Sequence, residues 1–141
     1  MAFFNTRFWL LVSGTLFTAF TTISALTADF TVEARGYWAD SLSDREAEIA
    51  AVVELVFTFH ILALGLVNLA IGLLATDPLR ARLGVVAMVA FFLSQFLSVG
   101  AAVQFGYDPG FPPIAFVIVG IPLVTLIACA VRWNSRPLGD A

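Results

Sequence analysis

Residues 52–74 constrain this chain more than any other part of its sequence. The segment is predominantly apolar and long enough to cross a bilayer, since a spanning α-helix needs about 20 such residues. Two ionisable side chains and one amide lie within it, those of Glu54, His60 and Asn68. Polar and ionisable groups at membrane depth cost free energy, so each is expected to have a hydrogen-bonding partner or a function. The segment therefore predicts a membrane helix whose polar groups face other helices or a ligand.

Four long apolar runs account for the composition of the whole chain, which is 60% hydrophobic and only 12% charged. A soluble domain carries about twice that charged fraction. The runs cover residues 8–28, 49–75, 83–105 and 113–133. We expect the first run to be a retained helix, because its apolar core of about 20 residues exceeds that of a signal peptide. The sequence predicts an all-α fold, a single four-helix transmembrane bundle over residues 1–141.

The arginines predict the orientation of this bundle. Lysine is absent from the chain. Arg7 precedes the first run, Arg80 and Arg82 lie between the second and third runs, and Arg132 and Arg136 lie at and after the end of the fourth run. With four spans all five share one side, which the positive-inside rule makes cytoplasmic. Both termini are then cytoplasmic, and the acidic connection 29–48 is an outer loop. We predict an integral protein of the bacterial cytoplasmic (inner) membrane.

The charge and the motifs exclude several kinds of function. The net charge of −3 comes with no basic patch, so nucleic acid is not expected as a partner. The single cysteine, Cys129, lies in the fourth run and is expected to be a small packing residue. No common catalytic, nucleotide-binding or metal-binding motif is present. We therefore predict no catalytic residue and no metal site. We expect the partners of the chain to be the lipid bilayer and either other membrane subunits or further copies of the chain.

Helical geometry divides the polar groups of the second run between two faces. At about 100° per residue, one stripe collects polar and small side chains: Glu54, Thr58, Ile61, Gly65, Asn68 and Gly72. Such a stripe is typical of a face that packs against other helices in a membrane. Glu54 begins this stripe near the outer surface. It is either an interfacial carboxylate or a group that binds a proton or a ligand.

His60 lies on another face, beside Val53, Phe57, Leu64, Val67 and Ile71. It either hydrogen-bonds within the bundle or binds a cofactor, for which haem, chlorophyll and quinone are the alternatives. The sequence itself requires none of these cofactors. A bulky residue one turn away would crowd a macrocycle, and a single histidine excludes haem ligation by two histidines of one chain.

The third run adds a second face of small and polar residues, which includes Ser94, Gln95 and Ser98. Gln95 is expected near mid-membrane as a hydrogen-bonding partner for Asn68 or His60. The predicted intramembrane polar site thus consists of Glu54, His60, Asn68 and Gln95. Its groups either hold helices together or form a small polar pocket among the first three helices.

Two segments carry a resemblance to a known family. Residues 54–66, ELVFTFHILALGL, and residues 90–99, AFFLSQFLSV, resemble in layout the small four-helix bacterial membrane proteins of the broad DoxX-like group. Members of that group often place an acidic residue at the start of the second helix, followed by a glycine-rich turn of helix. The resemblance implies a four-span architecture, and some relatives are associated with quinone-linked sulfur oxidation.

These observations lead to a first expectation for function and two alternatives. We expect a non-catalytic membrane protein, an accessory or structural subunit that packs against partner membrane proteins. The first alternative is a quinone- or redox-linked membrane protein with a small intramembrane polar site. The second is a small transporter or channel that works as an oligomer.

Overall fold

The computed structural model describes residues 4–37, 42–104 and 113–134. Its regular structure in these ranges is entirely helical: α1 Thr6–Thr27, α2 Phe30–Tyr37, α3 Asp44–Leu74, α4 Leu79–Gln104 and α5 Pro113–Val131. The predicted all-α fold is confirmed. The helices α1, α3 and α4 are each long and apolar enough to span a membrane, whereas the apolar part of α5, residues 116–131, is shorter.

Local hydrogen bonds explain where the long helices begin. The Asn5 side chain accepts a hydrogen bond from the Phe8 amide at 3.1 Å and caps α1. A capping box begins α3, in which Ser43 and Glu46 each accept a hydrogen bond from the other's backbone amide. Because this box supports a polar first turn, α3 starts five residues before the predicted apolar run.

The structure differs from the sequence prediction in the acidic connection 29–48, part of which is the short helix α2. The Asp29 carboxylate accepts hydrogen bonds from the hydroxyl and amide of Thr31 and from the amide of Val32. The Thr31 hydroxyl, followed by these backbone amides, lowers the pKa of Asp29 below its usual value. Ala34 is fully buried, and α2 packs against α3. Residues 38–41 and 105–112, with the predicted turn 107–110, lie outside the described ranges.

Helix α1 lies at the centre of the molecule and contacts α3, α4 and α5. Its buried side chains include Leu10, Ser13, Phe17 and Thr21. The Phe17 ring lies 5.9 Å from the ring of Phe91 on α4, measured between centroids. The core therefore forms around one face of α1, and the outward surfaces of the other long helices are apolar and exposed.

The most extensive contact, between α1 and α3, depends on glycine. A methyl group placed on Gly65 would lie 2.8 Å from the backbone nitrogen of Thr18. One placed on Gly14 would lie 2.9 Å from the carbonyl oxygen of Gly65. Both glycines thus let the two backbones approach closely, as small residues do at membrane helix interfaces.

The long helices α1, α3, α4 and α5 alternate in direction, so the charged groups separate to two ends. At the arginine end, the Thr6 hydroxyl donates to the Asp77 carboxylate at 3.0 Å, and Arg82 Nε donates to the Trp133 carbonyl at 3.4 Å. The first bond joins the start of α1 to the α3–α4 connection, and the second joins the residues after α5 to the first turn of α4. The arginine end carries Arg7, Arg80, Arg82 and Arg132. The opposite acidic end carries Asp29, Glu33, Asp44, Glu46 and Glu48 together with Arg35 and Arg45.

Candidate functional site in the groove between α3 and α4

The predicted polar stripe of α3 faces α1. Ile61, Gly65, Asn68 and Gly72 of this stripe are buried, and Glu54 and Thr58 are half-buried. Helix α1 covers this face because Gly14 and Gly65 allow close approach. The stripe therefore serves helix packing over most of its length.

Asn68 is fully buried in this contact, and its side-chain amide Nδ2 donates to Ser13 Oγ at 3.2 Å. Its partner is thus on α1, whereas the sequence suggested Gln95 of α4. The physical reason is that α3 presents different faces to α1 and α4, and Asn68 lies on the first. Ser13 could have been suspected from its position beside Gly14, on the small-residue side of α1.

Glu54 lies on the same stripe as Asn68, near the acidic end of α3. Fourteen residues separate the two, which corresponds to ~21 Å along the helix axis. Neither side chain lines the groove described next. The structure therefore does not bring all of the predicted polar site together.

The face of α3 that carries His60 borders a groove, and α4 forms its other wall. The groove has a volume of about 490 Å³. Its lining residues on α3 are Val53, Val56, Phe57, His60, Ile61, Leu64 and Val67. Those on α4 are Ala87, Ala90, Phe91, Ser94, Gln95 and Ser98. Of the neighbours of His60 that the helical pattern predicted, Val53, Phe57, Leu64 and Val67 line this groove, whereas Ile71 does not.

His60 and Gln95 lie at similar levels in the groove. His60 lies 14 residues before the end of α3 at Leu74, which corresponds to ~21 Å of helix. Gln95 lies 16 residues after the start of α4 at Leu79, which corresponds to ~24 Å. Ser94 and Ser98 lie close to the same level on α4. We refer to His60, Ser94, Gln95 and Ser98 as the polar belt.

The hydrogen bond of His60 determines what its ring can offer. His60 Nδ1 lies 2.8 Å from the carbonyl oxygen of Val56. A carbonyl oxygen only accepts hydrogen bonds, so Nδ1 carries the proton and donates it. In the neutral ring, Nε2 then holds a lone pair and is an acceptor. His60 is exposed in the groove, so this acceptor is accessible.

Apolar residues surround the polar belt. Between the belt and the α3–α4 connection the groove is lined by Leu64, Val67, Ala87, Ala90 and Phe91. Apart from the bond between His60 and Val56, no belt side chain hydrogen-bonds to another residue in the described ranges. Polar groups in an apolar medium cost free energy until they are paired. The belt is therefore a set of hydrogen-bonding groups suited to an occupant of the groove.

The thiol of Cys129, another candidate reactive group, has a structural role. Cys129 is buried, and its sulfur packs against Gly84 of α4, where an added methyl group would clash with it. Among the residues that the structure describes, no three His, Cys, Asp or Glu side chains are grouped as metal ligands.

Comparison of the chain with known protein families, curated proteins and solved structures gives no match. The resemblance to the DoxX-like group therefore stays a prediction.

Proposed function

We propose that this chain is a non-catalytic accessory protein of the bacterial cytoplasmic membrane that binds a lipid-soluble molecule between α3 and α4. In this proposal α1, α3, α4 and α5 all cross the bilayer and both termini are cytoplasmic. The separation of arginine and acidic ends supports this orientation. Other membrane proteins, or further copies of the chain, would cover part of the apolar outer surface.

One observation carries the proposal: the polar belt lies inside an otherwise apolar groove on a helix pair of membrane-spanning length. Ligand sites are commonly apolar concavities of about 300–1,000 Å³ with a few well-placed polar groups, and the groove fits this description. An imidazole, an amide and two hydroxyls can orient a ligand by hydrogen bonding.

The proposal is tested by filling the groove. Ala90 lines it and is exposed, whereas Ala63 is an exposed alanine of α3 that does not line it. We expect native mass spectrometry of the protein in mild detergent to show a co-purifying lipid-soluble molecule in the wild type and in Ala63→Phe, but not in Ala90→Phe. Equal amounts of bound molecule in both variants, or none in the wild type, would contradict the proposal.

A second candidate, axial ligation of a haem or chlorophyll, has one observation in its favour. Histidines that bind metals usually donate their other ring N–H to a carbonyl or carboxylate, as His60 does. Val56 lies one turn away in the same groove and limits the space for a macrocycle. An absorption spectrum of the purified protein decides: a stoichiometric pigment band that is lost in His60→Ala would establish this candidate. The quinone-linked and transporter alternatives stay predictions.

A further inference from the structure

We infer that the molecule bound in the groove carries a hydroxyl group, which donates a hydrogen bond to His60 Nε2 and accepts one from Gln95. This inference rests on the proposed function and specifies the class of ligand. It follows from the hydrogen-bonding capacity of the belt, from the level of its members and from the dimensions of the groove.

The position of the proton on the His60 ring favours a ligand that carries a hydrogen-bond donor. Because Nδ1–H is committed to the Val56 carbonyl, the neutral ring presents only an acceptor to the groove. A ligand whose only polar atoms are carbonyl or ether oxygens would place an acceptor against an acceptor. Polar groups left unpaired in this way cost free energy, so a ligand that carries a donor is favoured.

Gln95 supplies the complementary group. Its side-chain amide has two N–H donors and lies at a similar level to His60 across the groove. A hydroxyl is both donor and acceptor, so a single hydroxyl can satisfy His60 and Gln95 together. The serine hydroxyls of Ser94 and Ser98, on the same wall, can donate to a second oxygen of the ligand.

The dimensions and the lining of the groove suit a small molecule. From Val53 to Val67 it extends over ~21 Å of α3. Its volume of about 490 Å³ falls within the range of about 300–1,000 Å³ that is common for ligand sites. Its polar groups lie together, and the groove between them and the α3–α4 connection is apolar, which matches an apolar body with one polar position.

The single histidine of the chain makes the inference directly measurable. The protein would be labelled with ring-¹⁵N histidine and studied by NMR in lipid nanodiscs, with 4-octylphenol as the probe and 4-octylanisole, its methyl ether, as the matched control. We expect Nδ1 to be protonated, and the phenol to shift the Nε2 resonance saturably. The ether should bind at least about tenfold more weakly, the loss expected for one hydrogen bond.

Two variants separate the possible failures. Gln95→Leu should weaken phenol binding by about tenfold and leave the His60 tautomer unchanged, and Ala63→Phe should alter neither. Equal binding of phenol and ether, or a proton on Nε2, would overturn the hydroxyl inference while the proposed groove survives. Absence of saturable binding by either probe, together with no co-purifying molecule, would overturn both.

Discussion

Asn68 uses only part of its hydrogen-bonding capacity inside the bundle. Its Nδ2 donates to Ser13, whereas its Oδ1 has no partner among the described residues. Thr18 Oγ1, on the same side of α1, is also buried without a partner there. The hydrogen bond from Asn68 Nδ2 to Ser13 Oγ is therefore a specific polar contact between α1 and α3.

We predict that Ser13→Ala destabilises the protein by about 0.6–1.7 kcal/mol, the range for hydrogen bonds between membrane helices. The change leaves the Asn68 amide buried and unpaired. The measurement is unfolding in mixed detergent, and Thr22→Ala, at an exposed position of α1, is the control. Adding Asn68→Leu should recover part of the loss, because removing both partners avoids an unpaired group. Additive losses in the double variant would show that the two side chains are not coupled.

For single residues, the sequence predicted the helix face on which a side chain lies better than it predicted the hydrogen-bonding partner of that side chain. The helical pattern placed His60 with Val53, Phe57, Leu64, Val67 and Ile71, and all of these except Ile71 line one groove. It could not give the partner of Asn68, because a helical pattern fixes angles around one helix and not which neighbour lies at each angle. The protonated nitrogen of His60 could not be predicted either, since it depends on the contact with the carbonyl oxygen of Val56.

The α1–α3 pair forms the most extensive contact among the described helices. Gly14 and Gly65 face each other's helices so closely that an added methyl group would meet backbone atoms. Backbone atoms cannot rotate away as a flexible side chain can. Any larger residue at Gly65 must therefore push the two helices apart.

We predict opposite effects for the same substitution at two glycines. Gly65→Ala should destabilise the bundle, because the new methyl group would lie 2.8 Å from the Thr18 nitrogen. Gly100→Ala in α4 should be neutral or stabilising by up to about 1 kcal/mol, since no atom of the described residues lies within 4 Å of the added methyl group and alanine favours helix. Thermal unfolding in detergent measures both. A stabilised Gly65→Ala variant would contradict the close contact.

At the level of elements, the sequence located the apolar parts of the helices and missed polar helical turns. The second run was predicted to begin at residue 49, whereas α3 begins at Asp44, because charged residues continue a helix once Ser43 caps it. Helix α2 was missed because its residues form no long apolar run. Its burial of Ala34 against α3 is a tertiary contact.

The whole molecule separates its charges between two ends. The Thr6–Asp77 and Arg82–Trp133 bonds gather four arginines around the α3–α4 connection. The acidic residues lie where α1 ends and α3 begins. The sequence predicted this separation of charged residues best, because that prediction needs only the order of the helices and of the charged residues along the chain.

Topology is tested with single cysteines in a Cys129→Ala background. Val32 at the acidic end is 64% exposed, and Thr76 at the arginine end is also exposed. We predict that a membrane-impermeant maleimide labels Val32→Cys in intact cells, and labels Thr76→Cys only after the membrane is permeabilised. Labelling of Thr76→Cys in intact cells would reject the proposed orientation.

Because α3 is long, the thickness of the bilayer is expected to affect the surroundings of the groove in this protein. Its 31 residues measure ~46 Å, against ~30 Å for a typical hydrocarbon core. The surplus lies at the acidic end, where α2 packs against it. Counted from Leu74, His60 lies ~21 Å along the helix, so the polar belt would sit ~9 Å below the far edge of such a core. Shorter lipid chains would bring that edge closer to the belt and let headgroups and water compete for it, whereas longer chains would place the belt deeper in hydrocarbon. Lipid chain length should therefore regulate occupancy of the groove without any change in the protein itself.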